Sequence, residues 1–590
     1  MSRRLLAVVA AIALWGLAIG ARLYALQVDG HDRYRARAAR QQRFVVELEP
    51  PRGTLYDARG RQLAVSLEVD SAWADPRQVA DPEATARAVT ALTGGDAGAL
   101  ARRLAEEREF VWVARQLDRQ VAEELAALEL PGLDFLKEYR RFYPMGQLAS
   151  QVLGYAGIDQ RGLAGLEHSA DGLVAGREGE KTLLRDARRD TAASPLFGGR
   201  DAQPGAGLHL TLDAAIQHLA ERELARAVEG SGAKSGSVVV LDPADGAVLA
   251  MASYPTVDLN DFPDSPVEGW RNRAIMDAYE PGSTFKMVTA AAALEANLLD
   301  PADVFDCGMG SITLAGVRIR DHHPFGRLTL REVIARSSNV GAIKVGLAAG
   351  EQRLYRAITD FGFGRATGIE LPAESPGDVR PVESWWPLTK AYVSFGQGLT
   401  VTPLQLANSF AAVANGGTLY RPHVVAAVAP AAGPREATAA QVLARPVSAA
   451  TARQLERMLE AVVTDGTGRA AAIPGYRVAG KTGTAQKADP GGRGYSSSRY
   501  VASFVGFAPA RRPALVAAVI IDEPWPLYHG GQVAAPVFAR IIEPALLYLG
   551  IPPTPEEEDA DGEDAPLPAP PTPVVAAAAA VPARAPGGPA

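Results

Sequence analysis

Ser283 and Lys286, in the stretch Glu280-Pro281-Gly282-Ser283-Thr284-Phe285-Lys286, are three residues apart. The Ala-rich run Met287 to Leu294 follows, with strong helical propensity, so Ser283 is predicted to open a helix. A spacing of three puts both side chains on one helical face. There the lysine amine can take the hydroxyl proton and turn the serine into a nucleophile for acyl transfer. The helix N-terminus also favours negative charge developing nearby. Ser231-Gly232-Ala233-Lys234 repeats the pattern, but it lies in a Gly- and Ser-rich connector before a predicted strand and reads as loop.

Two further groups complete a site. Ser337-Ser338-Asn339 lies downstream, and Lys481-Thr482-Gly483-Thr484 falls on a predicted strand. Lys286 is a base only when neutral, and burial together with a second cation such as Lys481 would depress its pKa. Ser337 can relay the proton, and Asn339 can offer its amide to a peptide substrate. The strand segment Lys481, Thr482, Gly483 and Thr484 suits a terminal carboxylate through charge and hydroxyl donors. The backbone N–H groups of Ser283 and Thr484 are the expected oxyanion hole. Alone, Ser337 to Asn339 could simply cap a helix, and Lys481 to Thr484 could be an ordinary edge strand. The three groups in order specify a catalytic site. Asp321-His322-His323 raises the alternative of a metal-dependent hydrolase. Adjacent histidines point in different directions and no helical His-Glu pattern accompanies them, so exposed loop polarity is the preferred reading. Neither a metal nor a cofactor is expected.

The elements that must hold these residues together are legible in part. Leu208 to Leu212 reads as a strand, with Asp213 capping a helix through Leu224. Ser237 to Leu241 and Ala247 to Ala252 form a hairpin across Asp242-Pro243-Ala244-Asp245-Gly246. Further strands are predicted at Arg477 to Gln486, Tyr500 to Ala508 and Ala514 to Asp522, with helices dominating from Ser283 to Val413. An α+β domain results, its antiparallel sheet assembled from both ends and flanked by helices. From about Arg43 to Pro204 short strands such as Arg43 to Leu48 mix with helical stretches at Ala99 to Arg108 and Gln116 to Leu128. This is an accessory domain, with a Gly-rich stretch at Gly154, Gly157, Gly162 and Gly165 where backbone geometry matters more than side chains.

The N-terminus fixes location. Met1-Ser2-Arg3-Arg4 precedes an apolar run from Leu5 to Ala21, extendable through Leu26 with Arg22 snorkelling, which reads as a membrane anchor. A cleaved signal peptide is the competing reading, and either exports the bulk of the chain. A length of 590 residues, 47% of them hydrophobic, allows more than one core. A net charge of -7 offers no general attraction to nucleic acid, which is not an expected partner. The single cysteine, Cys307, excludes an intramolecular disulfide. Beyond Gly550 the chain turns to Pro, Ala and clustered acids, a composition that predicts disorder.

Together these motifs resemble the class B penicillin-binding proteins, in particular the division-type (septal) peptidoglycan D,D-transpeptidases. The resemblance extends to Arg52-Gly53-Thr54-Leu55-Tyr56-Asp57, to Arg141-Phe142-Tyr143-Pro144-Met145-Gly146 and to Gly162 through Gly165 to Glu167 in the accessory domain. In the catalytic domain it adds Phe395-Gly396-Gln397-Gly398, Thr402 to Gln405, Asp465-Gly466-Thr467-Gly468 and Ala534 to Phe538. It implies a cytoplasmic stub over 1–4, a transmembrane anchor over 5–26 and an elongated mixed α/β pedestal of the dimerisation type over 27–205. A penicillin-binding transpeptidase domain over 206–550 and a disordered tail over 551–590 complete the expected organisation. It further implies acylation of Ser283 by stem peptides ending in D-Ala-D-Ala, acylation of the same serine by β-lactams, and a single pass through the bacterial cytoplasmic (inner) membrane with the bulk in the periplasm. Expected partners are a membrane-embedded glycosyltransferase of the shape, elongation, division and sporulation (SEDS) type and other division proteins. The alternatives are a secreted β-lactamase with a deacylating carboxylate at Glu370 or Glu374, a D,D-carboxypeptidase using water as acceptor, and a division scaffold with little catalytic output.

Overall fold

The computed structural model describes residues 3–34, 43–185, 191–193, 200–489, 491 and 494–553; the expected disordered tail lies outside them beyond residue 553. The chain divides into two compact units, residues 1–51 with 176–205 and residues 52–175 with 206–590. In the first, a helix runs over Arg3–Tyr24 with no residue buried in protein, and the helical path continues to Asp29. Its 27 residues have a mean hydropathy of 2.1. At 1.5 Å per residue they reach about 40 Å, enough for the ~30 Å hydrocarbon core of a bilayer. The same unit holds an antiparallel sheet of Arg43–Leu48, Gly179–Arg185 and Thr191–Ala193.

The second unit centres on a five-stranded antiparallel sheet built from both ends of the sequence. Its strands are β1 (Ser235–Leu241), β2 (Val248–Tyr254), β3 (Ala479–Ala488), β4 (Tyr495–Ala508) and β5 (Leu515–Asp522), in the spatial order β2-β1-β5-β4-β3. β1 is buried along its whole length, because both faces of the sheet are covered. Val239 and Leu241 face a core shared with helices α1 (Lys286–Glu295) and α4 (Pro403–Ala414), whereas Val238 and Val240 face the helices Ala214–Gly230 and Ala535–Tyr548. Between α1 and α4 lie α2 (Leu330–Arg336) and α3 (Asn339–Ala349), preceded by the short hairpin Ser311–Leu314 and Val317–Arg320.

A second sheet joins Leu55–Tyr56, Gln62–Ala74, Val111–Leu117 and Leu133–Phe142 to Gly207–Leu210, Val425–Ala429 and Glu436–Ala437. The segment read as helical from Gln116 to Leu128 is divided here. Val111–Leu117 is a strand with Val111, Val113 and Leu117 buried on a two-residue period, and the helix spans only Arg119–Ala126 after extended backbone at Asp118. β-branched and aromatic residues at Val111 to Val113 favour the strand, and pairing with Gln62–Ala74 carries it to Leu117.

Three accessory motifs converge on one buried ion cluster. The Arg52 guanidinium donates to Glu167 Oε2 (2.8 Å) and Asp171 Oδ1 (2.7 Å), while Arg141 Nε donates to Glu167 Oε1 (2.6 Å). The side chains of Arg52 and Glu167 are fully buried. Gly162 is needed because a Cβ there would lie 1.9 Å from the Glu167 carbonyl oxygen. Breaking a buried pair by removing one partner leaves uncompensated charge, which typically costs about 3–5 kcal/mol. Glu167→Ala is therefore expected to lower the thermal unfolding midpoint markedly while protein still folded at low temperature keeps its active-site chemistry. Differential scanning calorimetry alongside covalent labelling with a fluorescent penicillin checks both.

Candidate active site

The turn that carries Ser283 is clamped before it enters α1. Tyr279 and Val401 exchange backbone hydrogen bonds (3.0 and 2.9 Å), Gly282 N–H donates to the Gly396 carbonyl (2.9 Å), and Gly398 N–H donates to Glu280 Oε1 (2.9 Å). Gly282–Phe285 forms a 3-10 turn in which Lys286 N–H bonds the Ser283 carbonyl, so Ser283 lies just ahead of α1, not on its first turn as the sequence suggests. The tighter winding suits the chemistry, since residues i and i+3 eclipse at three residues per turn and Ser283 stands over Lys286. Ser283 is partly exposed, and among the described residues its hydroxyl has no hydrogen-bond partner.

Lys286 is fully buried. Its Nζ donates to the Ser337 carbonyl (2.6 Å) and Asn339 Oδ1 (2.8 Å), and lies 3.2 Å from Ser337 Oγ. Two of its tetrahedral positions are thus committed to groups that can only accept. What remains in the neutral amine is the lone pair, the part a general base uses. Ser337 ends α2 in the left-handed conformation (φ 61°), rare for a residue with a side chain, and so presents both carbonyl and hydroxyl to the lysines. Lys481, also fully buried, donates to Ser337 Oγ (2.9 Å) and to the Thr482 carbonyl (3.2 Å), so one hydroxyl bridges the two amines.

Burial pushes the Lys286 amine down to about 7, against the opposing pull of the Asp321 carboxylate. Burial also holds Lys481 well below the usual lysine range, assisted by the charge of Lys286. The leading cause at Lys286 is loss of water.

β3 is the edge strand of its sheet and pairs only with β4 there, which leaves one side of its backbone open to an extended peptide. Side chains alternate along it, Lys481 and Gly483 on one face and Thr482 and Thr484 on the other. Thr484 Oγ1 accepts from Gly530 N–H (3.1 Å), which leaves its own proton free to donate, whereas the buried Thr482 hydroxyl pairs with that of Thr467 (2.6 Å). Asn339 Nδ2 gives one hydrogen to the Arg320 carbonyl (3.0 Å) and keeps the other available. The geometry therefore gathers Lys286, Ser337, Asn339 and Lys481 directly, with Ser283 one turn before Lys286.

The pattern of a penicillin-binding protein transpeptidase domain matches residues 236–543, and that of a penicillin-binding protein dimerisation domain matches residues 47–210. The chain is 35% identical over 518 residues to peptidoglycan D,D-transpeptidase FtsI of Escherichia coli, a match covering 86% of this chain and 85% of that protein. It is 35% identical over 514 residues to stage V sporulation protein D of Bacillus subtilis, covering 86% and 79% respectively. The chain belongs to the class B penicillin-binding proteins. Among solved structures, penicillin-binding protein 3 from Mycobacterium tuberculosis complexed with aztreonam superposes with a TM-score of 0.69 at 31% identity, over 86% of this chain and 98% of that one.

As a penicillin-binding protein the chain is a serine transpeptidase, and its remaining candidate residues are occupied structurally. Ser231 donates its hydroxyl to the Ala227 carbonyl (2.6 Å) at the end of the helix Ala214–Gly230. Glu374 accepts from the backbone N–H of Thr367 and Gly368, and Glu370 from that of Val424. Sequence reasoning put Asp321-His322-His323 on an exposed loop, and His322 and His323 are exposed there, whereas Asp321 is partly buried. The structure instead sets its carboxylate against the backbone of Asn339 and Val340, and only the hairpin fold reveals that contact.

Gly396 leaves no room for a side chain where it holds the turn that carries Ser283. It sits at positive φ, and a Cβ there would lie 2.1 Å from the Gly282 carbonyl oxygen. Gly396→Ala must push the Ser283 turn away, and misplacement of a reacting group by about 1 Å costs on the order of 100-fold in rate. Stopped-flow acylation by a chromogenic β-lactam, with a melting curve to confirm folding, is expected to show that loss.

Proposed function

We propose that this protein is a peptidoglycan D,D-transpeptidase that cross-links stem peptides through a Ser283 acyl-enzyme at the division septum. Ser283 Oγ attacks the carbonyl carbon between the two terminal D-Ala residues, and its proton passes to neutral Lys286. The oxyanion is held by the backbone N–H groups of Ser283 and Thr484. The C–N bond breaks as the leaving D-Ala amine takes a proton back from the cluster, with Ser337 relaying between Lys286 and Lys481. An amine of a neighbouring stem peptide then attacks the ester and gives up its proton to Lys286, which returns it to Ser283 Oγ as the ester C–O bond breaks and the cross-link forms. Asn339 orients the peptide, and the segment Lys481, Thr482, Gly483 and Thr484 receives the terminal carboxylate. β-Lactams acylate the same serine.

The observation that carries this reading is the buried, depressed Lys286 amine tied to Ser337 and Asn339, one turn from an unpartnered serine hydroxyl. Similarity to the Escherichia coli transpeptidase supports the peptidoglycan substrate and a septal setting. The apolar helix over Arg3–Asp29 supports a single-pass anchor in the cytoplasmic membrane, with the pedestal over 27–205 and the transpeptidase domain over 206–550 outside the cytoplasm. Because the likeness to class B proteins includes no glycan polymerase, a SEDS-type glycosyltransferase would supply the strands, with other division proteins docking on the pedestal.

Intact-protein mass spectrometry after benzylpenicillin treatment is expected to show one stable adduct that peptide mapping assigns to Ser283 and that Ser283→Ala abolishes. Folded wild-type protein with no adduct would sink the catalytic reading in favour of a scaffold. A product spectrum of hydrolysed donor alone, even at high acceptor amine, would replace transpeptidation with carboxypeptidation. Because only neutral Lys286 accepts the Ser283 proton, the acylation rate is expected to rise as pH passes through about 7 and then level off. A rate flat from pH 5 to pH 9 would remove Lys286 as the base.

A further inference from the structure

On the helices Ala214–Gly230 and Ala535–Tyr548, three arginines share one carboxylate. Arg222 Nε and Arg226 Nη1 each donate to Glu223 Oε1 (2.9 Å), and Arg540 Nε donates to Glu223 Oε2 (2.9 Å). The carboxylate is buried, whereas the Arg222, Arg226 and Arg540 side chains are 40%, 64% and 49% exposed. Three positive charges at the surface thus meet a single negative one beneath them. Beside Arg226 and Arg540, the chain that leaves β5 folds into a groove of about 270 Å³ walled by Trp525, Pro526, Leu527 and Val533. Trp525 and Leu527 are 64% and 55% exposed, although burying such side chains is favourable. Their backbone is fixed from behind, with Trp525 N–H donating to the Ser231 carbonyl (2.9 Å). An indole and a leucine flanked by two arginines suit an extended segment that combines carboxylates with prolines.

We propose that this groove docks the chain's own C-terminal segment, with carboxylates of the run Glu556 to Asp564 on Arg226 and Arg540 and the prolines from Pro566 to Pro573 against Trp525 and Leu527. Seven of the nine residues from Glu556 to Asp564 are acidic, and five of the eight from Pro566 to Pro573 are proline. Proline presets the polyproline II conformation, so such a segment loses little entropy when it lies on an aromatic side chain. The starting point of the segment is fixed: Ile551 N–H donates to the Leu546 carbonyl (3.0 Å), and the Ile551 carbonyl accepts from the Tyr476 hydroxyl (2.7 Å). From Arg540 the helix rises about 12 Å to Tyr548. The path on to Pro553 spans at most about 18 Å, which puts Arg540 within about 30 Å of Pro553. An extended chain carries Glu556 to Asp564 about 10 to 37 Å beyond Pro553, so the acids reach the groove. A tether of this length holds them at millimolar effective concentration, where ion pairs that are weak singly suffice. The segment that walls the groove runs on through Tyr528 and His529 to Gly530, whose N–H meets Thr484 Oγ1, so a docked tail braces the wall behind the β3 edge. The docking is independent of the acyl transfer assigned to Ser283.

Photo-cross-linking of the full chain in detergent micelles tests this, with a benzophenone amino acid in place of Leu527 and the products mapped by mass spectrometry after digestion. An equal mixture of unlabelled and isotope-labelled chains separates contacts within one chain from contacts between two. The expected product joins position 527 to residues 556–573 of the same chain. Replacing the seven acids from Glu556 to Asp564 by Gln and Asn alters no residue of the groove. That change is expected to lower the yield about tenfold, as loss of two exposed ion pairs together allows. Arg226→Gln combined with Arg540→Gln is expected to lower it equally. Raising the salt from about 0.01 M to about 1 M, which contracts the Debye length from ~30 Å to ~3 Å, is expected to lower it several-fold. Absence of a tail cross-link from the full chain overturns the proposal, as does a product that joins unlabelled to labelled chains, which would assign the groove to a second copy. A yield from the neutralised tail within about twofold of wild type overturns it as well, and that variant decides even if the paired arginine variant does not fold.

Discussion

Two lysine side chains, Lys286 and Lys481, lie fully buried with one serine hydroxyl between them. Taking one ammonium out of water costs several kcal/mol even after relaxation, and a second beside it adds repulsion to desolvation. The cluster reduces that cost in two ways. It gives the amines carbonyl, amide and hydroxyl oxygens to bond, and it lets their pKa values fall so that a proton can be absent. A lysine with an ordinary pKa in water would be protonated and useless as a base near neutrality. Burial is therefore the source of the chemistry, and the fold must keep water out of a site that substrate can still enter.

The surrounding architecture meets that requirement from two directions. The five-stranded sheet is covered on both faces, so β3 is rigid at its edge while its outer backbone remains open. Against it the Ser283 turn is tied by the segment Gly396 to Val401, and the Ser337 turn is tied by Asp321, which follows the hairpin. Each candidate catalytic group thus comes from a different element whose position is set by backbone hydrogen bonds. Long side chains are spared the task of reaching across a loose cleft, which is how orientation can be fixed before substrate arrives.

The buried Arg52, Glu167 and Arg141 cluster follows a related logic with a different purpose. Here opposite charges are paired in full burial, which makes the arrangement sensitive to loss of one member more than it makes it stable. Segments that begin at Arg52, Arg141 and Gly162 are far apart in sequence, and the shared carboxylate holds them in register. Nothing in this cluster touches the acyl-transfer residues, consistent with a structural role for the accessory motifs.

Several features were determined by the sequence alone. The three motifs identified the reaction, because Ser-x-x-Lys, Ser-x-Asn and Lys-Thr-Gly each join short-range spacing to side-chain chemistry that a linear reading can test. Strands β1, β2 and β5 were legible because burial on both faces makes them continuous apolar runs. Tertiary structure alone decided the rest. It divided the segment from Gln116 to Leu128, since pairing with a distant strand overrode local helical propensity. It placed Ser283 in a 3-10 turn, because the Gly396 carbonyl draws Gly282 aside. It also gave the loop residue Asp321 the backbone of the Asn339 turn as its partner. Periodicity reports only neighbours along the chain, whereas burial, pKa and the partner of a carboxylate depend on which remote segments fold against it.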